Sequence, residues 1–233
     1  METPCTPSKP LFGENPNLEP VKIGAPHFVD FGKNMEHSPD GYAYLLAQGS
    51  TRLDAWNNWI QADQVYLLRV KPSISTMNNP VAYEFFCGYN ARGAAVWTRD
   101  FKSIKPLLEW KDHLGCVTAT YNPGLKKYLM CISRCLESRR DIVLILESKQ
   151  ITGPWTVVHY MNDFGPGAYF LNIPSKFIAK DGKTFWLCYS ANWHGHVESG
   201  GSPEGSNYAL CLQEMRLVSN IKQDSAVQGG LGH

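Results

Sequence analysis

The chain has 233 residues, of which 43% are hydrophobic and 12% aromatic, and its formal net charge at pH 7 is +1. A nearly neutral chain with scattered Lys and Arg lacks the positive field that attracts nucleic acid or a membrane surface, so we expect neither partner. No apolar run reaches the roughly 18 residues that a membrane-spanning helix needs.

The two ends of the chain differ in composition from its body. Residues 1–20 are proline-rich and polar, and we predict a disordered lead-in without the apolar segment of a secretory signal. As the chain stands we expect it in the cytosol, or outside the cell if the natural N-terminus lies upstream. Residues 220–233 are predicted to be a flexible tail, which leaves 21–219 as the structured body.

Seven cysteines are spread along the chain. None forms a C-x-x-C pair, and Cys131 and Cys135 have no histidine pair at the spacing of a zinc site. The pattern therefore predicts free thiols, mostly buried, and nothing in the sequence requires a metal or another cofactor.

Short runs of aromatic and β-branched residues, separated by Gly, Pro, Asn and Asp, fill the body and predict an all-β fold. Pro106 interrupts the best helical candidate, residues 100–110, and leaves at most one turn. One pattern, a polar turn followed by an aromatic and aliphatic strand, occurs three times. Its copies are Asp40–Ala47, Asn122–Ser133 and Lys180–Ser190.

Each copy is followed by a similar second strand, namely Asp63–Val70, Asp141–Ser148 and Asn207–Glu214. A unit of about four antiparallel strands repeated around an axis is a propeller blade. The sequence therefore predicts about three four-stranded blades, with loops of uneven length because the repeats are unevenly spaced. Two stacked sheets of a β-sandwich are the alternative.

Two segments resemble the five-bladed β-propeller glycoside hydrolases of families 43, 32, 62 and 117. Ser148–Trp155 looks like the Gly-Pro-Trp turn that closes the outer part of a blade there, and Met35–Ala47 looks like the blade that carries the general acid. Pro26–Pro39 and Asn172–Phe177 are similar to a branch of uncharacterised hydrolases. The resemblance covers roughly 21–218 and implies the later three blades of an incomplete propeller, since the family's catalytic base Asp comes from an earlier blade.

The resemblance makes Glu36 the candidate general acid. Glycoside hydrolysis needs one protonated carboxyl group to protonate the leaving oxygen and a second carboxylate across the scissile bond. Met35 and Pro39 are expected to shield Glu36 from water, and His37 to hold it or to bind sugar hydroxyls. The alternative is that Glu36 caps a solvated turn.

Further residues are candidates for sugar binding. Asp30 and His27 precede Glu36 in the same segment. Thr118, Asn172, Ser175 and Lys176 occupy equivalent places at the start of the other two repeats and would face the same axial pocket. Trp193 follows the third repeat strand into a Gly- and Ser-rich loop, where its ring would stack on a sugar or simply pack. The remaining strand and turn tryptophans are predicted to be packing residues: Trp97, Trp110, Trp155 and Trp186.

These observations support a glycoside hydrolase with Glu36 as acid, inactive alone if its other blades are missing. A non-catalytic carbohydrate-binding or scaffold propeller is the alternative, and a truncated product held by another chain is a third. An incomplete ring leaves open sheet edges, which predicts self-association.

Overall fold

The computed structural model describes residues 23–51, 62–135, 141–165, 168–192 and 208–218, and these residues form an all-β fold. The predictions for 1–20, 220–233 and Trp193 lie outside them. The strands in chain order are β1 (Gly24–Phe28), β2 (Ala43–Gly49), β3 (Ala62–Val70), β4 (Glu84–Tyr89), β5 (Ala95–Thr98), β6 (Leu108–Leu114), β7 (Cys116–Asn122), β8 (Lys127–Cys135), β9 (Asp141–Ser148), β10 (Thr156–Met161), β11 (Tyr169–Asn172), β12 (Thr184–Asn192) and β13 (Tyr208–Arg216).

Helical structure in these ranges is limited to short turns. One α-helical turn, α1, covers Ile74–Met77, and Ser73 caps it by accepting a hydrogen bond from Thr76 N at 3.2 Å. The 3-10 turns are Lys33–Met35, Pro80–Ala82, Phe101–Ser103 and Ser175–Phe177. No helix among the described residues is both long enough and apolar enough to cross a membrane.

The strands form three antiparallel sheets in chain order. In the first sheet β1 to β5 are neighbours in sequence order, and β6 also pairs with β3. The middle sheet is β7 to β10, and the third is β11 to β13. The all-β prediction and the three repeats are confirmed: β2, β8 and β12 are the repeat strands, and β3, β9 and β13 follow them. Among the described residues the sheets contain six, four and three strands rather than four in each. The first sheet has six because β4 and β6 both pair with one edge of β3.

Alternating side chains bury both faces of the middle sheet. On β8, Tyr128, Met130 and Ile132 point into a core shared with the first sheet, whereas Leu129 and Cys131 point into a core shared with the third. This period of two explains why β8 has a nearly continuous hydrophobic sequence.

The first strands of the three sheets lie side by side. Beyond the end of β1, Asp30 forms a parallel bridge to Thr120 of β7, and β11 lies against β7 on its other side. Meandering sheets that follow one another and meet along their first strands have the arrangement of propeller blades, as the sequence predicted.

The four tryptophans that we predicted to pack divide into two groups. Trp155 packs against the core between the first and middle sheets, and Trp97 lies 4.1 Å from the Arg69 guanidinium. For Trp110 and Trp186 the packing prediction was wrong, since their exposed fractions are 41% and 38%. Trp110 stacks on His113, and Trp186 points away from the middle sheet.

Candidate functional site

The candidate residues lie along the three inner strands β1, β7 and β11. Asp30 N donates a hydrogen bond to Ala119 O at 2.9 Å, and Tyr121 N donates to Asp30 O at 2.8 Å, which fixes the first sheet beside the middle one. Because this pairing is parallel, the C-terminal ends of β1 and β7 meet at one end of the interface and their N-terminal ends at the other.

The Asp30 carboxylate connects the turn after β1 to the turn after β11. Oδ1 accepts a hydrogen bond from Gly32 N at 2.9 Å, and Oδ2 accepts one from Ser175 N at 2.8 Å. The two predicted site residues Asp30 and Ser175 are therefore in direct contact. Both carboxylate oxygens already have backbone partners, so the contact is one that holds the fold.

Thr118 belongs to a row of polar side chains on β7 that faces the third sheet. Its Oγ1 donates to Leu171 O at 2.5 Å, Thr120 Oγ1 donates to Ile173 O at 2.6 Å, and Asn122 Nδ2 donates to Gly182 O at 2.8 Å. All three side chains are buried. The row joins the middle and third sheets, and the Thr118 hydroxyl is already used within it.

Glu36 and His37 lie in the turn after β1. Glu36 is exposed, and its Oε1 accepts a hydrogen bond from Lys33 N at 3.2 Å. Pro39 is exposed as well, and Met35 packs against the cores of the first sheet, so the expected apolar shield around Glu36 is not formed. The His37 ring lies 5.6 Å from that of Tyr121 on β7. Glu36 and His37 thus stand together at the C-terminal ends of β1 and β7.

The other predicted residues are separate from this turn. His27 lies within β1, half-buried, with its ring 4.7 Å from that of Phe170 on β11. Asn172 is half-buried and pairs with Cys188 in the third sheet. Lys176 is exposed and its Nζ lies 4.8 Å from the Phe177 ring. The structure therefore brings together Asp30 with Ser175 and Glu36 with His37, but not the whole predicted set.

Two polar residues that the sequence analysis did not select lie at the opposite end of the same interface. Gln48, near the end of β2, is fully buried, and neither Oε1 nor Nε2 of its amide has a hydrogen-bond partner among the residues that the structure describes. Arg134, near the end of β8, is half-buried, and its buried Nε has no partner within the described ranges. A buried polar group left unpaired costs about 1–3 kcal/mol of folding free energy. A bound molecule that forms hydrogen bonds with Gln48 and Arg134 would therefore recover part of this cost.

The strand register places these two side chains at the same height. Gln48 pairs with Gly24 at the N-terminal end of β1. A Cβ added to Gly115, directly before β7, would lie 3.1 Å from Arg134 Cα, so Arg134 lies at the N-terminal end of β7. Gln48 alternates with Leu46, and Arg134 with Ile132, both of which point into the core between the first and middle sheets. The two side chains therefore point into one interface from opposite sides.

The alternation of side chains between the two faces of β2 and β8 is the sequence signal that identifies these two residues. Gln48 continues the series of Tyr44 and Leu46, and Arg134 continues that of Met130 and Ile132, so each is a polar residue at an inward position. Inward polar residues at strand ends are the ones to select as site candidates, because burial makes an unpaired polar group costly.

Neither the thiols nor the acidic residues form a metal centre in the part of the chain that is described. Cys87, Cys131 and Cys188 carry free thiols, and among the described residues no group of three or more His, Cys, Asp or Glu side chains is placed to hold an ion. Burial raises the pKa of Cys131 to about 12, which makes its thiol unreactive at neutral pH.

No protein-family model matches the sequence, and no curated protein matches it. Among solved structures, the GH43_1 enzyme from Xanthomonas citri complexed with xylotriose is similar at 12% identity with a TM-score of 0.47, over 82% of this chain and 44% of the enzyme. The RS223 β-xylosidase is similar at 14% identity and TM-score 0.47, over 84% of this chain and 55% of its own.

CoXyl43, a GH43 β-xylosidase/α-arabinofuranosidase from a compost microbial metagenome, is similar at 14% identity with a TM-score of 0.43, over 82% of this chain and 47% of its own. This chain thus spans about half the length of the solved enzymes that it matches. Two of these solved structures are named as GH43 enzymes, and family 43 is among the families that the sequence motifs resemble.

Proposed function

We propose that this chain binds carbohydrate at the end of the first and middle sheets where Gln48 and Arg134 lie. The observation that carries the proposal is the pair of inward polar side chains whose buried hydrogen-bonding atoms have no partner in the described part of the chain. The Arg134 guanidinium only donates hydrogen bonds, whereas the Gln48 amide both donates and accepts them. Because the hydroxyl groups on adjacent carbons of a sugar can also donate and accept, a sugar suits Gln48 and Arg134 better than an apolar ligand does.

Two further features support a sugar ligand. His27 pairs with Leu46, two residues before Gln48, so an imidazole and the Phe170 ring lie on the neighbouring inner strands. Arg134 is half-buried, which leaves the cluster a route to the surface on that side.

The test is calorimetric titration of the full chain with a glycan panel. Xylotriose, the ligand of the Xanthomonas citri structure, is the first probe. We expect Arg134→Leu to weaken binding at least tenfold, which corresponds to about 1.4 kcal/mol. Arg92→Leu, at an exposed turn, is the matched control and should bind as the unchanged chain does. No binding by the unchanged chain to any glycan, or equal binding by Arg134→Leu, would contradict the proposal.

Glycoside hydrolysis with Glu36 as general acid is the second candidate. What favours it is that Glu36 and His37 stand beside Tyr121, where the ends of two sheets meet. The site would lie at the other end of the inner strands from Gln48 and Arg134, so the two proposals are separable by mutation.

The hydrolysis proposal predicts that Glu36→Gln abolishes release of reducing sugar while the fold stays intact, because glutamine cannot donate the proton that the leaving oxygen needs. Sugar release by the purified chain is measured first. Glu214→Gln on β13 is the control and should leave the rate unchanged. Undiminished turnover in Glu36→Gln, or no turnover in the unchanged chain, would rule out Glu36 as the acid of an active enzyme.

A further inference from the structure

The pairing of β6 with β3 is interrupted by a large bulge. The residues of β6 that pair with Gln64 and Ala62 are Glu109 and Leu114. Residues 110–113 therefore stand opposite a single residue of β3, and we call them the β6 bulge. A bulge re-aims the side chains that it carries, and bulges are over-represented next to active sites. The β6 bulge contains a tryptophan that the sequence analysis expected to pack and that is exposed instead.

The β6 bulge presents this tryptophan, Trp110, in a defined orientation. The indole ring stacks on the His113 imidazole, with ring centroids 4.5 Å apart and ring planes 4° apart. Asp112 between them adopts a left-handed φ of 57°, and His113 Nδ1 donates a hydrogen bond to Lys111 O at 2.6 Å. Because His113 covers one face of the indole, the exposed surface of Trp110 lies on the other face and on the ring edges.

Contacts at both ends hold the β6 bulge against the first sheet. At its start, Glu109 Oε1 accepts a hydrogen bond from Gln64 Nε2 at 2.9 Å, and Gln64 Oε1 accepts one from the buried Tyr66 hydroxyl at 2.6 Å. At its end, Leu114 is buried in the core between the first and middle sheets. Glu109 thus points to the far face of the first sheet, where Tyr66 is buried. By alternation, Trp110 leaves the strand on the opposite face, towards the middle sheet.

The same face and the same end of this interface carry Gln48 and Arg134. Gln48, Val65 and Leu108 form one row across β2, β3 and β6. At ~4.8 Å between neighbouring strands, the backbones of Gln48 and Leu108 are about 10 Å apart. Beyond the β6 bulge the chain passes through Gly115 into β7, and a Cβ added to Gly115 would lie 3.1 Å from Arg134 Cα. The β6 bulge therefore lies close to both polar residues of the proposed site.

We propose that Trp110 is the stacking surface for a second sugar ring of an oligosaccharide whose first ring is bound by Gln48 and Arg134. This inference rests on the proposed carbohydrate binding and adds that the ligand has at least two rings. The C–H groups on one face of a sugar ring carry a small positive charge and suit the negative face of an indole, whereas the hydroxyl groups bind polar side chains. Since one sugar ring is narrower than the separation of about 10 Å across the three strands, a longer ligand is needed to contact both places.

The test is calorimetric titration of the full chain and its variants with xylotriose first and then with the other oligosaccharides of the glycan panel. We expect Trp110→Ala to raise the dissociation constant about fivefold or more, and Trp110→Phe, which keeps a flat ring, to raise it less than about twofold. Trp186→Ala removes a similarly exposed tryptophan from the third sheet and is the matched control, which should bind as the unchanged chain does. A thermal melt verifies the folding of each variant. His113→Ala removes the ring that orients Trp110 and serves as the second variant, with an expected loss of about twofold or more.

Tryptophan fluorescence adds a readout that a general loss of stability would not reproduce. A sugar ring on the indole displaces water, so the ligand should shift the emission of the unchanged chain and of Trp186→Phe to shorter wavelength, but not that of Trp110→Phe. Equal affinity in Trp110→Ala and the unchanged chain, or an emission shift that persists in Trp110→Phe, would overturn the role of Trp110. If Arg134→Leu still binds more weakly in that case, the site at Gln48 and Arg134 stands without it. Failure of the unchanged chain to bind any glycan would overturn both proposals.

Discussion

The two carboxylate oxygens of Asp30 each accept a hydrogen bond from a different backbone segment, and these two segments are far apart in sequence. Gly32 lies two residues away and Ser175 lies in the turn between β11 and β12, and each donates its N–H to a different oxygen of the carboxylate. The Asp30 backbone pairs with β7. A single residue thus connects segments of all three sheets, although its sequence context indicated only a turn or a binding group.

We expect Asp30→Ala to lower the free energy of unfolding by about 2–4 kcal/mol, because two hydrogen bonds to a carboxylate are lost and two N–H groups lose their partner. Asp181→Ala is the control, since that carboxylate accepts one hydrogen bond within an exposed turn, from Lys183 N at 2.9 Å. Its loss should cost less than about 1 kcal/mol. Urea unfolding of both variants gives the comparison, and equal losses would contradict the role of Asp30 as a tie between sheets.

At the scale of elements, β8 illustrates how alternation distributes side chains between two cores. Tyr128, Met130 and Ile132 face the first sheet, and Leu129 and Cys131 the third. Burial raises the pKa of Cys131 to about 12, and the nearby Thr118 hydroxyl lowers it by less. Since the ordinary value is 9.0, the unfolded chain gives up this proton at a lower pH than the folded chain does.

This difference predicts alkaline destabilisation with a defined sign. The contribution of Cys131 is complete below about pH 9 and is lost as the pH rises from 9 towards 12, at up to about 1.4 kcal/mol per pH unit for one proton. Urea unfolding between pH 8 and 11 should show a smaller slope for Cys131→Val than for the unchanged chain. The half-buried Cys87 gives the control variant Cys87→Val, and equal slopes in all three proteins would refute the prediction.

At the scale of the whole molecule, contacts between turns and strands of different sheets determine the stacking. Gly124, in the turn between β7 and β8, lies so close to the turn before β12 that an added Cβ would come within 2.3 Å of Gly182 N. Asn122 donates to Gly182 O at the same place. Among the described residues the two ends of the stack differ, because Leu45, Tyr66 and Leu68 on the outer face of the first sheet are buried whereas Leu210 and Leu212 of the third sheet are exposed.

The sequence by itself determined the all-β class and the three repeat strands. Turn residues and a period of two are local signals, so Asp40–Ala47, Asn122–Ser133 and Lys180–Ser190 each predicted a strand that the fold contains. Its resemblance to the five-bladed glycoside hydrolases also rests on motifs that are local in the chain. The candidate site residues were chosen because they are close to one another in sequence or occupy equivalent places in the repeats. The prediction of the site is therefore the least complete part of the sequence analysis.

Only the tertiary structure decided which polar side chains are already satisfied and which are not. Thr118 and Asp30 have their partners on another sheet, 53 and 145 residues away, and no local pattern carries that information. Gln48 and Arg134 come to one interface from two different sheets for the same reason. Hydrogen bonding and burial depend on which strands of neighbouring sheets are in contact. These contacts are determined by the packing of whole sheets and not by the sequence of any one segment.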